Sequence, residues 1–113
     1  MTSDLAPRPS SGELSQLEGS AQSAARLLKL LANEQRLLLL CRLIEGEASV
    51  GTLAAHARMA QSATSQHLAK MRAEGLVETR RDAQTIFYRL ADPAAMRVLG
   101  LLCDIYSHEI SAA

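Results

Sequence analysis

Aromatic side chains are almost missing from this sequence. Among 113 residues there are one Phe, two Tyr and no Trp, against a hydrophobic content of 48% that is largely Leu and Ala. A core without large rings is most readily built from helices that interlock aliphatic side chains, and this length suits one domain. Net charge is missing too. Twelve basic and twelve acidic residues cancel, which excludes a generically basic nucleic-acid binder and moves the question to local charge. No apolar run approaches the roughly 20 residues of a membrane span, and the first residues lack the apolar stretch of a signal peptide. No membrane partner is expected, and the chain is expected in the cytoplasm. Two cysteines in that compartment are expected as thiols rather than as a structural disulfide. The sequence has no glycine-rich phosphate loop, no carboxylate pair on a common element and no Cys–His arrangement at a supporting spacing, so no enzyme and no cofactor are expected.

Apolar periodicity then divides the chain. Pro7, Pro9, Ser10, Ser11 and Gly12 mark a flexible tail over 1–14; residues 15–111 form the domain. Leu17, Ala21, Ala24, Leu28 and Leu31 recur at helical spacing over about Ser15 to Ala32. Leu27 and Leu30 widen that stripe enough to suggest burial against a partner subunit as well. Asn33 can cap a second helix, Glu34 to Ile44, whose apolar residues run nearly all round. Ser49 can cap a third, Val50 to Ala57. After Gly75, a helix stop, a strand that Leu76 and Val77 begin and that runs to Arg81, and another over Thr85 to Leu90, read as a hairpin closed by Asp82, Ala83 and Gln84. Asp92 and Pro93 start a last helix with a stripe of Met96, Leu99, Cys103 and Tyr106. That helix is expected to pack with the first at a dimer interface.

The stretch from Gln61 to Gly75 is the centre of this arrangement. As a helix it puts Ala60, Thr64, Leu68 and Met71 on one side and Ser62, Gln66, Ala69 and Lys70 on the other. Gln61, Ser62, Ser65 and Gln66 both donate and accept hydrogen bonds, which base edges in the major groove require; Gln can bond adenine bidentately. A solvated surface helix would carry similar residues. Context favours the first reading, because from Arg58 to Arg89 six basic residues stand against three acidic ones. The short helix before Gln61 and the basic hairpin after it give a mainly α fold with a small β-hairpin, a winged helix-turn-helix. Candidate DNA contacts are Gln61, Ser62, Ser65, Gln66, His67 and Lys70 on the helix, with Arg80, Arg81 and Gln84 on the hairpin.

Four segments carry a resemblance: Leu-Leu-Lys-Leu-Leu-Ala-Asn-Glu-Gln-Arg-Leu at 27–37, Ser-Val-Gly-x-Leu at 49–53, Gln-Ser-Ala-x-Ser-Gln-His-Leu at 61–68 and Gly-Leu-Val-x-x-Arg-Arg-x-x-Gln-Thr-Ile-x-Tyr at 75–88. Together they resemble the ArsR/SmtB family of bacterial winged-helix repressors. The resemblance implies a nucleoid-associated homodimer that binds double-stranded DNA at a palindromic operator and excludes polymerase. Thr64 departs from it, since relatives carry a larger aliphatic residue there.

Metal sensing in that family uses motifs that are missing here. The third helix has only His56 where closely spaced cysteines are needed, and the terminal motif would need a histidine at Ala94, so no metal site is expected. The resemblance also places Cys41 where sulfide-responsive members carry one reactive thiol, with the second position at Ser107. Cys103 lies four residues earlier, on the same helical face but shifted by about 6 Å. Cys41 and Cys103 are therefore either a redox pair answering reactive sulfur species or an oxidant, or two small residues filling a helical core.

Overall fold

The computed structural model describes residues 7–112, with side chains through residue 107. The chain forms two compact units, one up to Leu30 and one from Leu31 onward. In the first, α1 (Ser11–Gly19) is followed by α2 (Ala21–Leu31). A capping box starts α1: Ser10 Oγ accepts from the Glu13 amide at 3.1 Å and the Ser10 amide donates to Glu13 Oε1 at 2.8 Å, satisfying two orphan donors reciprocally. The helix thus begins four residues inside the stretch read as a tail; the part of that expectation that falls on 1–6 lies outside the described residues. The single helix expected over Ser15 to Ala32 is also two. Gly19 and Ser20, both weak helix formers, break it. Leu14, Leu17 and Leu28 stay exposed.

The second unit runs α3 (Glu34–Ile44), β1 (Ala48–Ser49), α4 (Val50–Ala57), α5 (Gln61–Ala73), β2 (Val77–Asp82), β3 (Thr85–Leu90) and α6 (Pro93–Ala112). Caps set the boundaries that the sequence announced. Asn33 Oδ1 accepts from the Arg36 amide at 3.0 Å, Ser49 Oγ from the Thr52 amide at 3.2 Å and Asp92 Oδ1 from the Ala94 amide at 2.9 Å. At the end of α5, Gly75 takes a φ of 80°, its amide bonds the Arg72 carbonyl and the Leu76 amide bonds that of Met71. This is the left-handed stop that glycine accepts without a Cβ penalty.

Leu39, Leu40, Leu53, Leu68, Met71 and Leu76 are wholly buried, and Leu99 of α6 nearly so. The aliphatic core expected from the composition sits among α3, α4, α5 and α6. Two details differ from expectation. Cys41 does not fill that core, because the buried side of α3 is Leu39, Leu40 and Leu43 while Cys41 is exposed, as is Cys103. The hairpin is not two-stranded either. β1 pairs antiparallel with β3, Ala48 opposite Tyr88 and Ser49 opposite Phe87, giving the order β1-β3-β2. Ser49 both ends β1 and caps α4, so the wing is tied covalently to the helix-turn-helix. Asp82 pairs with Thr85, leaving only Ala83 and Gln84 in the turn.

Candidate nucleic-acid interface

α5 sorts its side chains as the sequence pattern requires. Thr64, Leu68 and Met71 are buried, while Gln61, Ser62, Ser65, Gln66, Ala69 and Lys70 are exposed. Ala60 is the exposed N-cap rather than part of the buried stripe, and it supplies no side-chain bond. No side chain caps the leading amides of α5. Thr64 is too small to fill the space of a longer aliphatic side chain, but its hydroxyl donates to the Ala60 carbonyl at 3.0 Å, so the buried oxygen is satisfied.

The three-residue turn from α4 into α5 holds Arg58 at a φ of 56°, a left-handed conformation that costs a non-glycine residue about 1–2 kcal/mol. Closing bonds hold it: the Met59 amide donates to the Ala54 carbonyl at 2.9 Å and the Arg58 amide to that of Ala55 at 3.3 Å.

The candidate residues do not all stand free. Both ring nitrogens of His67 are engaged by α3: Arg36 Nε donates to Nδ1 at 3.4 Å, and Nε2 lies 3.1 Å from Gln35 Oε1. Since Nδ1 accepts from Arg36, a neutral ring carries its proton on Nε2 and can donate it to Gln35. Burial, then the charges of Arg36 and Lys70, lower the His67 pKa below its ordinary value. His67 braces α5 against the start of α3. Arg80 is likewise occupied, with Nε donating to the two Glu47 oxygens at 2.8 and 2.9 Å and its guanidinium over the Phe87 ring, 4.7 Å from the centroid. Arg89 is paired with Glu78 at 3.1 Å. Arg81, Lys70 and Gln84 are exposed. Sequence reasoning missed Gln35, Arg36 and Glu47, whose partners lie 31 to 33 residues away with no local pattern to signal them.

Cys41 and Cys103 line one apolar cavity of about 330 Å³, with Leu37, Leu99, Leu102, Tyr106 and Ser107. Although Cys41 as a whole residue is exposed, the partial burial of its thiol against this cavity, then the neighbouring Cys103, push its pKa up.

A buried-spined helix with an exposed polar lead is thus joined to a three-stranded wing. Residues 33–79 match the family described as bacterial regulatory protein, arsR family. The nodulation protein NolR of Rhizobium meliloti is 49% identical over 92 residues, 81% of this chain and 75% of its own length. The chain belongs to the ArsR family. The transcriptional activator HlyU of Vibrio cholerae is 45% identical over 82% of this chain and 86% of its own. The crystal structure of the transcriptional repressor BigR from Xylella fastidiosa superposes with a TM-score of 0.78 at 41% identity, over 82% of this chain and 95% of that one. An ArsR-family chain with this fold is a winged helix-turn-helix DNA-binding transcriptional regulator, as the sequence resemblance implied. No helix among the described residues is long and apolar enough to cross a membrane.

Proposed function

We propose that this regulator is a cytoplasmic, nucleoid-associated homodimer without catalytic activity, which represses transcription by reading a palindromic operator with the exposed face of α5 and gripping the backbone with the wing. The observation that carries this reading is α5 itself, whose outward residues are the hydrogen-bonding ones while Thr64, Leu68 and Met71 fix its orientation. Exposed Leu101, Ile105 and Tyr106 on α6 and Leu14, Leu17 and Leu28 in the first unit supply apolar surface for a second copy. A two-fold axis would then repeat α5 on the DNA about one helical turn apart.

Gln66→Ala is expected to weaken operator binding by about 1–3 kcal/mol and to relax base preference at one position per half-site. Arg81→Gln should instead weaken binding to all sequences alike and lower the salt slope by about one per protomer. Competition titrations against a panel of single-base operator variants separate the two. An unchanged ranking in Gln66→Ala would remove α5 as the reader. Because BigR is called a repressor and HlyU an activator, the sign is tested by transcription in vitro; repression predicts less transcript on adding protein.

The shared cavity of Cys41 and Cys103 favours a second layer, a thiol switch on the same repressor. The Cys41 thiolate would attack the inner sulfur of a trisulfide, breaking one S–S bond and releasing hydrosulfide, and the Cys103 thiolate would attack that same sulfur and release the second hydrosulfide. The two thiols thus lose two protons and two electrons, and one sulfur stays as the bridge. Since the Cys41 pKa is raised and the thiolate is the nucleophile, the reaction should quicken as pH rises. Intact-mass measurement should show a cross-link in wild type and none in Cys103→Ser, with operator affinity changed by about 1–3 kcal/mol. A cross-link that leaves affinity untouched would make the cavity a bystander.

A further inference from the structure

The proposed function has the wing approach DNA with its arginines, so what holds Arg80 bears on affinity; the inference below rests on that reading. Strand register sets Arg80 opposite Phe87, and the guanidinium lies on that ring. From there it reaches Glu47, one residue before β1, which pairs with the far edge of the central strand β3. Arg80 Nε donates to both Glu47 oxygens and Nη2 donates to Oε1, so the side of the fork that would grip a phosphate is taken up. Arg81, the next residue along β2, falls on the other side of the pleat and is exposed; the wing's ion pairs among the described residues are Arg80–Glu47 and Arg89–Glu78, and neither includes it. The two adjacent arginines therefore differ in availability. One is bound by a carboxylate 33 residues away.

A phosphate contact gives affinity that is blind to sequence, and such contacts supply essentially all of non-specific binding. We propose that Glu47 is a specificity-determining residue that holds Arg80 off the phosphate backbone, leaving Arg81 as the wing's contact and limiting indiscriminate binding to duplex. The alternative is that the carboxylate merely straps the three strands together. The hydrogen bonds from the Arg80 guanidinium hold the Glu47 carboxyl below its ordinary pKa.

Fluorescence anisotropy titrations of the full chain with a mixed-sequence duplex, repeated over a salt series, test this. Glu47→Gln should bind that duplex more tightly, with a slope of log affinity against log salt steeper by about 0.9 per protomer. The same substitution in an Arg80→Gln background should change neither quantity. Equal tightening in both backgrounds would show Glu47 acting only through its own charge, and would overturn the proposal. So would unchanged binding, or a lower melting temperature with weaker binding, which is the outcome of a strap. A wild-type chain that binds no duplex at all would overturn the DNA reading beneath it, a result distinct from normal wild-type binding with an inert Glu47→Gln.

Discussion

Leu68→Ala is expected to lower stability by about 2–5 kcal/mol and to abolish operator binding near the new melting point. Leu68 has no exposed surface, sits between Thr64 and Met71 on the buried side of α5, and its truncation leaves both a transfer loss and a cavity. Total stabilities of about 5–15 kcal/mol make this a large fraction. Gln66→Ala, two residues away and exposed, should shift stability by no more than about 0.5 kcal/mol. Thermal melts of the two variants side by side check the assignment of faces. Equal losses would mean that α5 is not oriented as described.

Leu101→Arg is expected to split the dimer. Leu101 is 59% exposed on α6, close to Ile105 and Tyr106, and an unpaired guanidinium placed in an apolar interface costs on the order of 3 kcal/mol, or about a hundredfold in the dimer dissociation constant. Operator affinity should fall with it, since a monomer engages one half-site. Sedimentation velocity at micromolar concentration decides it. A variant that sediments as wild type would move the interface elsewhere. The first unit's exposed Leu14, Leu17 and Leu28 would then be the next surface to examine.

Local physical signals made most of the second unit readable. Asn33, Ser49 and Asp92 are side-chain caps whose partners lie two or three residues on, and Gly75 is a stop whose reason is its own backbone angle; such features need no knowledge of tertiary contacts. The faces of α5 followed from spacing alone, except at Ala60, where the helix had not yet begun. What escaped had either too short or too long a range. β1 is two residues, below the length at which alternation can be recognised, and it exists because β3 offers a free edge. An apolar spacing that continues across Gly19–Ser20 hides the break there, and the prolines beside the Ser10–Glu13 capping box give the sequence the look of a tail. Cys41 illustrates a different limit. In so uniformly apolar a helix, the sequence does not say which third faces inward, and tertiary packing chose Leu39, Leu40 and Leu43. Of the candidate DNA contacts, the exposure of Gln61, Ser62, Ser65, Gln66 and Lys70 was legible. The engagement of His67 by Gln35 and Arg36, and of Arg80 by Glu47, depended on residues brought together only by the fold.

Hydroxyl-radical footprinting of the wild-type chain on a duplex selected by its own binding shows whether two copies of α5 read one operator. A homodimer reading with two copies of α5 predicts two protected windows on each strand, related by a dyad and centred about one helical turn, roughly 10 base pairs, apart or a small multiple of it. A single protected window without a dyad, or uniform weak protection along the duplex, would contradict it.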